Sequence, residues 1–290
     1  MSRPDPPDRD SRVVVVTGAS DGVGEAAAFA LARTGDQVVV IGRSPAKTGA
    51  VAAAVGAAAG GPVRHHSVDF ADLGQVRELA TELTATHARI DVLVDNAGLI
   101  AGRRTVTRDG HELTMQVNHL GPYLLTRLLR DPLVAAGGRV IVTASAAGSG
   151  SRAVLDLDDL ENAKDYTPLR AYARSKLANV LFTRELARRW APDGVTAASF
   201  HPGLVRSRFG SSSTPLVRVL LASPARLLMR SPENGADTLV WLATSTPGVD
   251  WRSGGYYADR SPAQSHPQSE DPVVAAALWD RSAELVGLPA

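Results

Sequence analysis

The strongest constraint on the fold is a glycine-rich turn that joins a buried strand to a helix near the start of the chain. Residues 12–16 are rich in β-branched valine, which is typical of a strand buried on both faces. The turn 17–24 follows with the pattern Gly-x-x-x-Gly-x-Gly, and a helix-forming run covers 25–33. Such a turn lets backbone N–H groups and the positive end of a helix meet a phosphate. The pattern indicates a nucleotide-binding βα unit, with an ordinary glycine-rich turn as the alternative.

Each glycine of this turn has a separate expected role. Gly18 permits the tight turn, Gly22 allows a ligand to approach the backbone, and Gly24 lets the helix pack on the strand. These positions depart from the Gly-x-Gly-x-x-Gly spacing of the commonest dinucleotide fold. The turn therefore belongs to a variant of that fold or to no nucleotide site at all.

The residues after the second predicted strand, 37–41, bear on the choice of nucleotide. An acidic residue here binds a ribose 2′-hydroxyl, whereas an arginine accommodates a 2′-phosphate. Gly42 occupies the acidic position and Arg43 follows it, which favours NADP. NAD stays open because Asp21, in the glycine-rich turn, would repel a nearby phosphate. The alternative is that Arg43 is a solvated loop residue with no role in nucleotide binding.

Strand-like and helix-like segments alternate along the rest of the chain. Further strands are predicted at 63–68, 90–94, 139–143, 195–200 and 254–257, with helices between them and a terminal helix at 273–286. The alternation predicts an α/β fold, a Rossmann-type, doubly wound parallel sheet of about seven strands with helices on both faces. We expect one catalytic domain over 12–290, preceded by a flexible tail at 1–11.

Small and polar residues follow several predicted strands, at the carboxyl edge where such folds bind ligands. Asp69 and Phe70 end the third strand, and Asp69 either holds an adenine amino group or caps a turn. The segment 95–98 (DNAG) ends the fourth strand and Ser145 follows the fifth. An acidic stretch at 156–161 is expected to be a surface excursion near the mouth of the site.

Tyr172 and Lys176 are the candidate catalytic residues for a site at this edge of the sheet. They are four residues apart in a predicted helix, so they lie on one face one turn apart. A free tyrosine titrates near pH ~10, and a close cation lowers its pKa. The pair therefore indicates a general acid/base, although the spacing alone also occurs in ordinary solvent-facing pairs.

The segment 207–230 combines a serine-rich start with an apolar patch. This composition predicts a lid over an apolar substrate pocket, with a packing helix or a dimer face as alternatives. The turn before it contains His201, which we expect to be structural. Ser231 and Pro232 then predict the start of another helix, as N-cap and first residue.

Composition excludes several classes of protein. With 31 basic and 30 acidic residues the chain lacks the excess of positive charge that is typical of nucleic-acid-binding proteins. Without cysteine it can form neither a disulfide nor a thiolate site. No apolar run approaches the ~20 residues of a membrane span, and the polar first residues do not resemble a signal peptide. We expect a cytoplasmic protein with a small-molecule partner, no metal and no membrane span, and we leave a homo-oligomer open.

The ordered motifs resemble those of the short-chain dehydrogenase/reductase family over about residues 12–288. The turn 17–24 is similar to the TGxxxGxG loop of that family, and 95–98 is similar to its NNAG segment except for Asp95. Within the family, 116–121 (QVNHLG), 175–179 (SKLAN) and 201–203 (HPG) are most similar to the retinol dehydrogenase and WW-domain oxidoreductase branch. Ala144 stands where this branch often has serine, and Ser207 where threonine is common.

The resemblance implies a hydride transfer between nicotinamide and a carbonyl or alcohol, which in this branch is lipophilic. Tyr172 would exchange a proton with the substrate oxygen, Ser145 would hydrogen-bond that oxygen, Lys176 would hold the ribose, and Asn118 would complete the catalytic tetrad. Rival interpretations are an extended-family epimerase and a noncatalytic nucleotide sensor. The implied cofactor contacts are Gly18, Ser20, Asp21, Gly22, Val23, Gly24, Arg43, Asp69, Phe70, Asn96, Ala97, Gly98, Tyr172, Lys176, Pro202, Gly203, Val205 and Ser207.

Overall fold

A computed structural model describes residues 11–150, 153–206 and 229–289. These residues form an eight-stranded sheet with the strand order β3-β2-β1-β4-β5-β6-β7-β8. Pairing is parallel from β3 to β7, and β8 runs antiparallel to β7. The strands are β1 Val13–Thr17, β2 Gln37–Gly42, β3 Arg64–Ser67, β4 Val92–Asp95, β5 Arg139–Thr143, β6 Thr196–Phe200, β7 Tyr256–Ala258 and β8 Ser261–Pro262.

Helices cover both faces of this sheet, as the alternating pattern predicts. On one face α1, α2 and α8 enclose the alternate side chains of β1, β2 and β4 in an apolar cluster. On the other face α3, α5, α7 and α9 enclose the remaining alternate side chains in a second cluster. The helices are α1 Gly22–Arg33, α2 Pro45–Ala59, α3 Leu73–Thr86, α4 Leu113–Met115, α5 Gly121–Leu128, α6 Arg130–Ala136, α7 Pro168–Trp190, α8 Pro232–Thr244 and α9 Pro272–Leu285.

The predictions of a parallel doubly wound sheet and of helix starts are confirmed. β8 adds a short strand to the predicted seven, because the chain folds back after β7. Ser231 accepts a hydrogen bond from the backbone N–H of Asn234 at 3.2 Å, as expected of an N-cap before Pro232. None of the described helices has both the length and the apolar character needed to cross a bilayer.

A π-helical turn interrupts the helix predicted between β4 and β5. The turn Gln116–Leu120 joins α4 to α5, and it contains Asn118. Such turns are rare and are frequent at functional sites, since one extra residue per turn redirects the side chains. A further helix, α6, follows α5 directly. The helical segment expected before β5 is therefore present from 113 to 128, with a π-helical turn inside it that the sequence did not indicate.

The acidic stretch 156–161 is partly buried. The Asp159 side chain accepts hydrogen bonds from the backbone N–H groups of Ala163 at 2.7 Å and Lys164 at 3.2 Å. Glu161 pairs with His111 at 2.8 Å. The excursion is thus packed by its own carboxylates, which a pattern of exposed acids does not reveal.

Two further sequence predictions lie outside the described residues. The expected tail 1–11 is described only at Ser11, and the expected lid 207–230 only at its last two residues. Val205, which precedes this second segment, pairs with its last residue, Arg230, as a parallel bridge.

Candidate active site

A cavity of about 370 Å³ lies at the carboxyl edge of the sheet. Its volume falls in the range of small-molecule sites. One end is formed by the glycine-rich turn and the start of α2, and the other by residues after β4, β5 and β6 together with α7. Sequence-predicted residues in its wall are Gly18, Ser20, Asp21, Gly22, Val23, Arg43, Asp69, Phe70, Asn96, Ala97, Gly98, Ser145, Tyr172, Lys176, Pro202, Gly203 and Val205.

The glycine-rich turn packs so closely against its neighbours that Gly18 and Gly24 have no room for a side chain. Gly18 and Gly22 have φ angles of 64° and 60°, which favour glycine. A Cβ on Gly18 would lie 2.8 Å from the Cα of Ala97, and one on Gly24 would lie 2.4 Å from the Gly18 oxygen. Gly24 does not line the cavity. It lets α1 approach the turn, the packing role that its spacing indicated.

Asn96 fixes this turn to the sheet. Its side-chain amide donates to the backbone oxygens of Thr17 at 3.0 Å and Gly18 at 3.3 Å. Thr143 at the end of β5 donates its hydroxyl hydrogen to Asn96 Oδ1 at 3.2 Å. The side-chain amide of Asn96 therefore connects the ends of β1, β4 and β5 beside the glycine-rich turn.

The end of β2 has no room for an acidic residue. A Cβ on Gly42 would lie 2.5 Å from Thr48 Oγ1 and 2.8 Å from Ser20 Oγ. Arg43 is exposed at the cavity wall, and Lys47 joins it there from the first turn of α2. Two cations and a helix N-terminus thus occupy this end. Sequence analysis missed Lys47 and Ser44, although the Ser-Pro start of α2 was a usable signal.

Asp69 performs the turn-capping role that the sequence left open. Its Oδ1 accepts a hydrogen bond from the Ala71 N–H at 3.0 Å, and its own N–H donates to Gln75 Oε1 at 3.0 Å. The residue also lines the cavity, beside the buried Phe70. A capping role and a ligand contact are therefore compatible.

Ser145, Tyr172 and Lys176 meet at the other end of the cavity. The Ser145 hydroxyl oxygen accepts a hydrogen bond from the Ala147 N–H at 3.2 Å, which leaves its own hydrogen to donate elsewhere. The Lys176 Nζ donates to the Thr143 backbone oxygen at 2.8 Å and lies 5.8 Å from the centre of the Tyr172 ring. The sequence spacing and the strand end thus bring these three side chains together.

Asn118 lies behind the cavity wall. Its amide donates to Leu99 O and to Ser175 Oγ, both at 3.0 Å, and its Oδ1 accepts from the Leu99 N–H at 2.7 Å. A Cβ on Gly98 would lie 3.2 Å from Asn118 Oδ1 and 3.6 Å from Lys176 Nζ. Asn118 therefore holds the segment after β4 against α7. Gly98, in that segment, is close to both Asn118 and Lys176.

Burial dominates the protonation of the central pair. It raises the pKa of Tyr172 to about 12, although a hydrogen bond from Ser145 lowers that pKa in part. Burial also lowers the pKa of Lys176 to about 7. The expectation that Lys176 lowers the Tyr172 pKa is therefore wrong for the protein's own groups, because both side chains lose water and the charged form of each is disfavoured.

The turn after β6 closes this end of the cavity. Gly203 has a φ of 76° and donates its N–H to His201 Nδ1 at 3.3 Å. His201 thus has the structural role expected of it, while Pro202 and Val205 line the cavity. Ser207, the remaining predicted contact, lies outside the described residues.

These features fit a dinucleotide. A glycine-rich turn at a helix N-terminus suits a pyrophosphate, and exposed cations stand at one end of the cavity with a phenol, a hydroxyl and an amine at the other. Among residues 11–150, 153–206 and 229–289, no cluster of His, Asp or Glu has the arrangement of a metal site. Cavity residues that sequence analysis did not single out as ligand contacts are Gly42, Ser44, Lys47, Val68, Leu99, Val117, Thr143 and Ala144.

Comparison with known proteins gives a consistent assignment. The sequence profile of the family described as short chain dehydrogenase matches residues 12–157. A Streptomyces sp. (strain C5) protein named "Putative daunorubicin C-13 ketoreductase DnrU" is 45% identical over 95% of this chain and 93% of its own. Human retinol dehydrogenase 13 is 37% identical over 96% of this chain and 86% of its own.

Solved structures agree with the sequence relatives. A Mycobacterium paratuberculosis protein has 32% identity and a TM-score of 0.77 over 98% of this chain and 97% of its own. An alcohol dehydrogenase from Thermococcus sibiricus, complexed with 5-hydroxy-NADP, has 26% identity and a TM-score of 0.64 over 82% of this chain and 92% of its own. With its fold, its cavity and these relatives taken together, the chain belongs to the short-chain dehydrogenase/reductase family of NAD(P)-dependent oxidoreductases, and is similar to its retinol dehydrogenases.

Proposed function

We propose that this chain reduces a lipophilic carbonyl compound with NADPH, with Tyr172 as the general acid. The observation that carries the proposal is that Tyr172, Ser145 and Lys176 share one cavity with the glycine-rich turn and Arg43. A noncatalytic nucleotide sensor would have no use for the phenol and hydroxyl at one end of that cavity.

Reduction of a carbonyl starts from a protonated Tyr172. Burial disfavours its phenolate and raises the pKa to about 12, so the phenol carries its proton when substrate binds. Ser145, whose oxygen already accepts from a backbone N–H and whose hydrogen bond lowers the Tyr172 pKa, would donate its hydrogen to the carbonyl oxygen once substrate is bound. Bound NADPH would supply the hydride to the carbonyl carbon, and the Tyr172 proton would then go to the oxygen.

Lys176 would hold the cofactor ribose near Tyr172. Its Nζ is buried and uses one hydrogen bond on Thr143 O, so an ammonium has further donors available for ribose hydroxyls. An oxidised nicotinamide would place a positive charge near the phenol and favour its ionised form after reaction. Asn118 would act through Leu99 and Ser175, as the fourth member of the proposed tetrad.

Cofactor preference follows from the end of β2. Gly42 leaves no space for an acid, while Arg43 and Lys47 offer two exposed cations to a 2′-phosphate. Asp21 lines the same cavity and is the N-cap residue of α1, where a carboxylate opposes a phosphate. Two cations outweigh one acid, and NADP is the preferred cofactor in this proposal.

The proposed substrate class rests on the cavity wall and on the relatives. The cavity wall includes apolar Leu99, Ala144 and Val205. The similar proteins are named for retinol and for daunorubicin, both larger than simple alcohols. A bulky, mainly apolar ketone or aldehyde is therefore the substrate that we expect.

The test is a panel of aromatic and long-chain ketones and aldehydes assayed with NADPH and with NADH, following absorbance of the reduced nicotinamide. We expect turnover that depends on substrate and is faster with NADPH. Tight NADPH binding without oxidation by any member of the panel would contradict the proposal and favour the sensor.

A further inference from the structure

A chain of buried polar side chains connects the C-terminal helix to Lys176. Ser282 on α9 lies 2.9 Å from His119 Nε2, and the other ring nitrogen of His119 lies 3.4 Å from Asn179 Oδ1. Asn179 donates its amide hydrogen to Thr143 O at 3.2 Å, the oxygen that also accepts from Lys176 at 2.8 Å. Ser282, His119, Asn179 and Lys176 are all at most 2% exposed.

We propose that Ser282, His119 and Asn179 form a relay that positions Lys176 from the C-terminal helix. They are positioning residues, because Asn179 and Lys176 share one backbone oxygen and only Lys176 reaches the cavity. The proposal rests on the proposed function for the role of Lys176, but the geometry of the relay does not.

The direction of every hydrogen bond follows from its last member. Thr143 O can only accept, so the Asn179 amide nitrogen must face it and Asn179 Oδ1 must face His119. Two acceptors cannot bond, and we therefore assign the ring hydrogen of His119 to Nδ1. His119 Nε2 is then the acceptor, and the Ser282 hydroxyl donates to it.

This order gives each residue a separate task. The two ends of the Asn179 side chain have the same shape, so hydrogen bonds and not sterics set its orientation. Thr143 O requires the amide nitrogen, and the His119 Nδ1–H reinforces this orientation because it requires an oxygen. Ser282 holds the His119 ring in place by donating to Nε2. Burial lowers the pKa of His119 to about 4, so that the ring is neutral at physiological pH and the tautomer matters.

Loss of the relay has a specific consequence at Lys176. If the Asn179 amide turns over, its oxygen moves toward Thr143 O and Lys176 in place of its nitrogen. A second oxygen near the amine favours the charged form, so the pKa of Lys176 should rise. An amine with two competing acceptors is also less fixed, and hydride transfer should slow because alignment is lost.

A matched pair of variants separates this effect from loose anchoring of α9. Ser282→Ala removes the first donor of the relay. Tyr123→Phe removes a different hydrogen bond to the same helix, from the Tyr123 hydroxyl to Trp279 O at 3.0 Å, together with the one that this hydroxyl accepts from Arg127. It keeps the aromatic ring, whose centre lies 6.1 Å from that of His119, and removes no hydrogen bond of the relay. His119→Phe, a second variant, removes both bonds of the ring and fills similar space.

The readout is the pKa of Lys176, measured by NMR on protein with 13C-labelled lysine. The chain has three lysines, Lys47, Lys164 and Lys176, and Lys176→Met assigns the signal. We expect Ser282→Ala and His119→Phe to raise the pKa of Lys176 by about half a unit or more and Tyr123→Phe to leave it unchanged, with turnover several-fold lower only in the first two.

Equal Lys176 titrations in Ser282→Ala and Tyr123→Phe would overturn the proposal, whatever the change in melting temperature. The titration needs no cofactor or substrate. An inactive wild-type enzyme would therefore count against the proposed function, while the shift in the Lys176 pKa would still decide the relay.

Discussion

The two ends of the cavity both use lysine, but in opposite environments. Lys47, beside Arg43, is exposed to solvent and lines the cavity together with the glycine-rich turn, whose backbone N–H groups would face a bound phosphate. Lys176 is 2% exposed and is held by Thr143 O. An exposed cation attracts a phosphate through screened forces at little cost to folding. A buried amine loses its hydration, so burying Lys176 at the end of the cavity with Ser145 and Tyr172 lowers the free energy of unfolding.

The comparison predicts opposite consequences for two matched substitutions. Lys176→Met should lower turnover by ~10²–10⁴-fold, the usual range for lost acid/base assistance. Lys47→Met should leave turnover unchanged and weaken NADP binding a few-fold, with a smaller effect at high salt. Steady-state kinetics with both variants at two salt concentrations would check this. Equal losses of turnover would break the comparison.

Stability should separate the same two variants. The pKa of Lys176 falls from 10.5 to about 7 on folding, so below pH 7 its charge is buried at a cost and above pH 10.5 both states are neutral. Lys176→Met should therefore be more stable than wild type at pH 6, with the gain shrinking as the pH rises to 10. Lys47→Met should show no such trend. Denaturant unfolding over this range measures both.

Asp95 extends the contrast to an acid. It is 2% exposed, accepts from the Thr126 hydroxyl at 2.7 Å, and its Oδ1 has no partner among the described residues. Burial raises its pKa from 3.8 to about 7. Between pH 3.8 and about pH 7 the folded state therefore binds one more proton, on Asp95, than the unfolded state does. The free energy of unfolding accordingly falls as the pH rises through that window.

Asp95→Asn should remove this pH dependence, because an amide keeps the bond to Thr126 and cannot ionise. At pH 8 we expect the variant to be more stable by about 1–3 kcal/mol, less than the full cost of a buried ionised carboxyl. The exposed Asp131→Asn is the control, since its side chain is 91% exposed. A wild-type minus Asp95→Asn difference that stays flat from pH 4 to 8 would contradict the burial argument.

A further substitution tests cofactor choice. Arg43→Ala should lower the preference for NADP over NAD by about tenfold, equivalent to ~1.4 kcal/mol for one charge-assisted contact. Arg33→Ala, an exposed arginine at the end of α1, should leave the preference unchanged. Ratios of kcat/KM for NADPH and NADH would measure it. An unchanged ratio of kcat/KM values in Arg43→Ala would contradict the proposal that Arg43 contacts the 2′-phosphate of NADP.

Much of this arrangement could be predicted because local sequence determines it. Gly18 and Gly22 occur where the chain takes positive φ, and the order of strands and helices determines which loops share the carboxyl edge. Tyr172 and Lys176 required only helical spacing. Each of these features depends on neighbours in the chain, so a single sequence contains the necessary signal.

The rest depends on contacts between distant segments. The π-helical turn at 116–120 has no distinct local pattern, and Asn118 within it bonds to Leu99 and Ser175 on other elements. The pKa of Lys176 depends on burial by the sheet, which spacing does not report. The relay from Ser282 joins residues 163 positions apart. These properties follow from packing alone.

The most direct test of the account is single-turnover kinetics of Tyr172→Phe preloaded with NADPH. The ring keeps its packing and loses only the transferable proton, so NADPH affinity should change little while hydride transfer falls by at least ~10²-fold. Tyr166→Phe, whose hydroxyl donates to Ala101 O at 3.1 Å, is the matched control and should transfer hydride at the wild-type rate. Near-normal hydride transfer by a folded, NADPH-bound Tyr172→Phe protein would contradict the assignment of Tyr172 as the general acid.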